Sequence, residues 1–421
     1  MALKTLLINP NTYRTPPVLP IGLEYLASAL KKQNYHCDIL DLTFTRKPLE
    51  KINNTLKNSR YDIIGFSIRN IDTCLFFNNE FFLSGFKQMI KCIKEYDTPI
   101  ILGGSGFSAS PVEILDYLKC DFGIVGPGEK AFPHFLELMK SNKLNKKIIN
   151  GWDHGLDPNL SILRAKGIDY NRYMGNEGVV GFVTHYGCSN SCPYCIEANT
   201  ERYYRKIDNV IEEIEFLASK GFHDFHLCDS EFNEALKFSK EFCEAIIKSS
   251  LNFKWALYMK PDPYDEELFR LLSMSNAYLI TLTVDSDETI QSDNKYSYAD
   301  LEKIVKYCKK HNIELAIDLL TGYPGESIQS TKKVIRFFEK NRPKTVGINF
   351  YYRLLKNTKI TRLIEENPAM QKQLTRPYAE KENYLTPIFY SQYSKEDIEK
   401  LILDDDLFKI PGITPGVNYQ Q

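Results

Sequence analysis

Short apolar runs alternate with amphipathic helical stretches along nearly all of this 421-residue chain, and few folds accept that alternation. The first block reads as strands at residues 3–9, 37–42, 63–68, 99–102 and 122–125, with helices at 22–33, 49–58, 79–94, 111–118 and 130–139. Runs of four to seven mostly apolar residues, each followed by a helix, predict a doubly wound α/β domain, a parallel sheet covered on both faces. From residue 141 the periodicity fades into Asn, Lys, Asp, Gly and Pro, so residues 1–140 read as one domain and 141–177 as a linker. The alternation then resumes, with strands at 179–184, 224–227, 253–257, 278–284, 314–320 and 345–350. Six strand–helix units over residues 178–351 predict a partial (β/α)6 TIM-type barrel. The short helices and prolines of residues 352–421 read as a C-terminal cap.

Charge decides the class of partner. Lys plus Arg number 53 against 54 Asp plus Glu, so the chain lacks the basic footprint of a nucleic-acid binder, and a small molecule or cofactor is expected instead. No apolar stretch reaches the roughly 20 residues that span a bilayer. With no secretory leader at the start, a reducing cytoplasm is the expected compartment.

Ligands of doubly wound sheets lie beyond the carboxyl ends of the strands. In the first block those ends carry Asn9, then Ser67, Arg69 and Asn70, then Gly103, Gly104 and Ser105, then Gly126, Gly128 and Glu129. Such small and polar positions let backbone approach a bulky ligand closely; the plainer reading is that the glycines close tight strand-to-helix turns. No Gly-x-Gly-x-x-Gly follows the first strand and no Gly-Lys-Ser/Thr occurs, which argues against an ordinary dinucleotide site or a P-loop. In the second block Cys188, Asp229, Tyr258, Asp285, Thr321 and Tyr351 follow strands, on the face where barrels carry active sites.

Three of the ten cysteines fall within eight positions: Cys188-Ser-Asn-Ser-Cys192-Pro-Tyr194-Cys195. The other seven are scattered and read as small buried hydrophobes. Three thiolates on one loop can wrap a single metal centre and leave a fourth position open. A structural zinc would need a fourth ligand, which His185 or Cys228 could supply. An iron–sulfur cluster with one open iron suits an all-thiolate loop better.

This C-x3-C-x-aromatic-C loop resembles that of the radical S-adenosylmethionine (SAM) superfamily. The resemblance implies that Cys188, Cys192 and Cys195 hold a 4Fe-4S cluster whose open iron binds SAM, with Tyr194 against the adenine. It extends through Asp229 and Glu231, which resemble the family's acidic segment after the second strand. Asp285-Ser286 stands where many relatives carry Glu-Ser, and Thr321 precedes Gly322-Tyr-Pro-Gly325-Glu326, which is similar to a turn common after the fifth strand. By that resemblance Asp229, Glu231, Asp285, Ser286 and Thr321 join Tyr194 as SAM contacts, while Gly325 and Glu326 read as structural. Taken singly, each acid is also a possible helix cap.

A doubly wound sheet directly ahead of such a barrel resembles the cobalamin-binding subclass, which implies a Rossmann-like cobalamin domain held by the strand-end residues named above. No Asp-x-His-x-x-Gly signature occurs there, so no histidine replaces the lower axial ligand of cobalt. Arg69 stands where the lower face of the corrin is expected, in a segment that resembles the tryptophan-methylating branch. A cation there cannot ligate cobalt; alternatively, Arg69 pairs with Asp62 or Asp72 on the surface.

The resemblance implies a cobalamin-dependent radical SAM methyltransferase that moves a methyl group from SAM via methylcobalamin to an unactivated carbon of a small-molecule or peptide-derived substrate. An electron donor such as a flavodoxin or ferredoxin is the implied partner. The alternatives are ring formation, oxidation or rearrangement, with or without cobalamin, and a non-enzymatic cobalamin or iron–sulfur sensor. Tyr258, Lys260, Tyr351, Tyr352 and Arg353 are pocket candidates by their place after strands.

Overall fold

The computed structural model describes residues 3–160, 167–287, 296–379, 382–403 and 405–414. Parts of the expected linker (161–166) and cap (380–381, 404 and 415–421) therefore lie outside the described residues. Two compact units emerge. One comprises residues 1–73, 80–184 and 203–222; the other comprises 74–79, 185–202 and 223–421.

The first unit is built on six parallel strands: β1 (Lys4–Asn9), β2 (His36–Asp41), β3 (Ile63–Ser67), β4 (Ile100–Gly103), β5 (Phe122–Val125) and β6 (Ile148–Asn150), in the order β2-β1-β3-β4-β5-β6. The direction of winding reverses between β1 and β3, and doubly wound sheets bind ligands at such a switch point. Leu6, Leu7 and Ile8 of β1 are all buried, as a strand covered on both faces requires. Leu7, Leu23, Leu30, Ile63, Ile101, Phe132 and Phe135 share one core. In β5 a glycine is obligatory, because a Cβ on Gly123 would lie 2.2 Å from the Phe107 ring.

Two features of this unit were not visible in the periodicity. The helix expected over 79–94 begins at Leu83. Ahead of it Cys74 and Asn78 have positive φ, which a helix cannot hold, and Asp72 bridges to Phe81. Residues 148–150 extend the sheet into what reads as linker; three residues are too few for a period to register. The helix Ile207–Ser219 also belongs to this unit. It is tied in by a buried cluster in which Arg205 donates to Glu213 at 2.7 Å and to the Tyr25 hydroxyl at 3.0 Å.

The second unit stacks parallel strands Asp224–Leu227, Lys254–Met259, Ala277–Asp285, Glu314–Leu320 and Thr345–Asn349, each hydrogen-bonded to the next. Phe408–Lys409, from the tail, adds a further parallel strand beside Thr345–Asn349. The rest of the described tail packs its own core, with Tyr352, Leu354, Ile360, Ile364 and Tyr384 buried around the antiparallel pair Tyr352–Arg353 and Phe389–Tyr390. Residues 74–79 pack in this unit too: the Phe76 ring stacks on Tyr351 at 3.9 Å, and Asn78 donates to the Gly412 carbonyl at 2.7 Å. Among the described residues no helix is long and apolar enough to cross a membrane.

Candidate active site

The cysteine loop leaves the end of a short strand, Val180–Phe182, through Gly187. Gly187 has φ +85°, and a Cβ there would lie 2.0 Å from the Glu201 carbonyl, so only glycine lets the two arms of the loop close. Thr200 then locks the arms: its hydroxyl accepts from the Cys188 N–H at 3.0 Å, and its N–H donates to the Cys188 carbonyl at 3.0 Å. Asn199 donates to the Asn190 carbonyl at 2.9 Å.

Burial, with carboxylates close by, pushes all three thiols up, that of Cys192 to about 12. Metal-free, they are not activated nucleophiles, which sit in electropositive surroundings. The charge of bound iron is what would draw them out as thiolates. The single-ion alternative finds no support in the geometry. Among the described residues no three His, Cys, Asp or Glu side chains converge on one point; His185 faces Asp229, and Cys228 is exposed.

Acidic groups surround the loop. His185 and Asp229 are both buried, with Nδ1 3.0 Å from Oδ2, and the His185 N–H donates to Oδ1 at 3.3 Å. Although burial opposes it, the Asp229 carboxylate raises the His185 pKa. Glu231 is pushed up to about 8 by burial, with Glu234, Asp318 and Asp285 adding to the rise and Lys260 opposing it. Its Oε2 is buried with no hydrogen-bond partner among the described residues. Asp285 is raised to about 7, again chiefly by burial, and accepts from the Tyr194 hydroxyl at 3.3 Å. Two carboxyls whose charge burial penalises, one with an unused oxygen, suit a cationic ligand that restores the charge. The ammonium and sulfonium of SAM are such cations.

Ser286 and Thr321 are otherwise engaged. Both hydroxyls donate to Glu326, as does Thr331, while Gly322 N–H and Tyr323 N–H donate to its other oxygen at 2.7 and 3.1 Å. Glu326 thus clamps the Gly322–Glu326 turn, the structural role expected of it. Of the pocket candidates, Arg353 spends its guanidinium on the carbonyls of Leu354, Tyr384 and Leu385. The Tyr258 ring stands edge-on to His226, and Tyr351 lies under Phe76. Tyr352 packs 5.7 Å from Tyr194, its hydroxyl buried without a partner among the described residues.

Lys260 is buried and pairs with Glu234, a residue that sequence reasoning passed over. Its signal was the crowding of three acids, Asp229, Glu231 and Glu234, into six positions after one strand.

In the first unit Ser67 ends β3, and Arg69 and Asn70 follow it exposed, beside the switch point. The Arg69 guanidinium makes no hydrogen bond or ion pair with any described residue, so the surface pairing with Asp62 or Asp72 does not form: Asp62 accepts from the Lys4 N–H, and Asp72 is buried. Its backbone is fixed instead, since the Arg69 carbonyl accepts from Gly106 N–H and the Ser105 hydroxyl, both at 2.8 Å. A Cβ on Gly104 would lie 2.5 Å from the Ile68 carbonyl, and one on Gly126 2.5 Å from the Trp152 ring. These two glycines are explained by packing. Gly103 and Gly128 meet nothing closer than 4.0 and 3.6 Å. Asn9 is buried, donating to Asp41 and Thr43 at 2.9 and 3.0 Å, and Glu129 is buried as well.

Residues 13–136 match the B12 binding domain family, and residues 182–338 match the radical SAM superfamily. The tryptophan 2-C-methyltransferase of Streptomyces laurentii is 25% identical, over 83% of this chain and 72% of that enzyme. The radical SAM methyltransferase TsrM from Kitasatospora setae, solved with cobalamin and a 4Fe-4S cluster, has a TM-score of 0.88 at 23% identity, over 99% of this chain and 94% of that one. Its structure with tryptophan and a SAM analogue gives 0.87 at 22% identity, over 97% and 91%. The cobalamin-dependent radical enzyme OxsB gives 0.75 at 14% identity, over 95% of this chain and 66% of that one. Residues 13–136 thus carry a B12-binding domain, and residues 182–338, which follow it, a radical SAM domain.

Proposed function

We propose that this protein is a cobalamin-dependent C-methyltransferase that moves the methyl group of SAM to an unactivated carbon of a small molecule. When bound, cobalamin supplies a cobalt that takes up and passes on a methyl group, and the 4Fe-4S cluster supplies an electron. The observation that carries the reading is Arg69, a cation without a partner among the described residues, at the switch point of a B12-binding sheet. A guanidinium stays protonated and cannot ligate a metal, so Arg69 would flank a bound corrin without binding its cobalt, which would suit a cobalt that passes its methyl group on readily.

In this reading Cys188, Cys192 and Cys195 hold the cluster. Glu231 and Asp285 attract the positive charges of SAM, Asp229 fixes His185 beside the loop, and Tyr194 presents its ring to the adenine. Ser286 and Thr321 act through the Glu326 clamp, which sets the turn that follows Leu320. Asn9 orders the end of β1 through Asp41 and Thr43. Ser67, Asn70, Gly103, Ser105, Gly128 and Glu129 line the approach for the corrin, with Gly104 and Gly126 shaping their turns. A flavodoxin or ferredoxin serves as electron donor.

Tryptophan, the substrate in the name of the Streptomyces relative, is the first acceptor to test. Full-length protein, reconstituted anaerobically with iron, sulfide and hydroxocobalamin and given trideuteromethyl SAM and a reductant, is expected to yield a product heavier by the labelled methyl group. Label-free products of ring closure or oxidation, from tryptophan or any other acceptor, would overturn the reading.

A further inference from the structure

A buried ion pair sits behind the cysteine loop with no part in the chemistry assigned so far. Glu234 is buried, and its side chain accepts five hydrogen bonds within 3.4 Å. Three come from the first turn of the loop: Cys188 Sγ at 3.3 Å, Ser189 Oγ at 2.6 Å and Ser189 N–H at 3.4 Å. The others come from Arg202, at the rim, and from buried Lys260, whose Nζ lies 3.2 Å from the same Oε1 that Cys188 touches. Lys260 also donates to Asn190 Oδ1 at 3.2 Å, and Asn233 pins its backbone from both sides.

Such a pair is a poor choice for stability alone, because apolar residues of the same size fill buried space at least as well. Its hydrogen bonds converge on residues 188–190. There is also an electrostatic reason for it. As a thiol, Cys188 donates to Glu234; as a cluster ligand it is a thiolate and has no proton to give. Sulfur and carboxylate would then face each other as two anions. The ammonium on the shared oxygen offsets that repulsion from within the protein, where the half-exposed Arg202 is screened by solvent.

We propose that Glu234 and Lys260 are positioning residues for the cluster: together they hold the first turn of the cysteine loop, and their balanced charge sets the reduction potential felt at Cys188. Charge near an iron–sulfur cluster moves its potential, an added negative charge downward and a removed one upward. The inference rests on the cluster reading of the loop.

The test is an anaerobic redox titration followed by electron paramagnetic resonance, on full-length wild type, Lys260→Met, Glu234→Gln and the double variant. The expected result is a lower midpoint potential for Lys260→Met, a higher one for Glu234→Gln, and a return toward wild type in the double variant. No shift in either single variant, or shifts of the same sign, would overturn the proposal. If Lys260→Met takes up no iron, the double variant decides: recovery of iron supports the charge balance, and continued absence refutes it. A wild-type protein without a 4Fe-4S signal would instead refute the cluster reading itself.

Discussion

Replacing Glu326 with Gln separates two roles for the hydroxyls of Ser286 and Thr321. The Glu326 carboxylate accepts from three hydroxyls and two backbone N–H groups, all buried or partly buried. Glutamine keeps one acceptor oxygen and turns an NH2 group toward the donors that have lost theirs. Two or so charge-assisted bonds, each worth about 1.5–3 kcal/mol, are forfeited, for a loss of about 3–6 kcal/mol. In a unit of this size each kcal/mol moves the melting midpoint by roughly 2–4 °C, so the expected drop is on the order of 10 °C. The assay is thermal unfolding of the iron-free protein at pH 6. There Asp285, raised to about 7, is mostly neutral, so relief of its repulsion with Glu326 does not offset the loss. A midpoint within about 2 °C of wild type, together with weakened SAM binding, would refute the clamp and assign the hydroxyls to the ligand.

Gly187→Ala is expected to lower iron content per chain after reconstitution, because a Cβ at φ +85° would lie 2.0 Å from the Glu201 carbonyl; metal analysis reads it, and normal iron would refute the loop geometry. Stability of the iron-free protein should fall as pH rises from about 4 to about 8. Glu231 (about 8) and Asp285 (about 7) hold protons in the folded state that they release when unfolded, and His185, raised by Asp229, acts with the same sign. Melting at pH 6 and pH 8.5 should differ less in a Glu231→Gln/Asp285→Asn variant. Arg69→Ala should leave the melting midpoint unchanged, since its guanidinium makes no bond with a described residue, but alter the absorption spectrum of bound cobalamin; an unaltered spectrum would remove Arg69 from the corrin.

Much of this architecture was legible because strands buried on both faces are nearly pure apolar runs. β1 and Glu314–Leu320 stand out for that reason. Ile148–Asn150 did not, being three residues long, and residues 79–82 read as the start of a helix, whereas Phe81 bridges to Asp72 and the helix begins at Leu83. The cysteine loop was legible because its ligands are close in sequence. The pairing of Glu234 with Lys260 was not, since the two stand 26 positions apart and are brought together only by the pairing of two strands. Sequence likewise showed Ser286 and Thr321 at strand ends without revealing that Glu326 takes up their hydroxyls.

That one chain uses both SAM and cobalamin for methyl transfer can be tested without knowing the acceptor. Full-length protein carrying its cluster and reduced cobalamin is mixed anaerobically with SAM labelled in the methyl group, and the corrinoid is extracted and analysed. The expected result is labelled methyl on the corrinoid together with S-adenosylhomocysteine. A corrinoid that remains bound but unlabelled would contradict it.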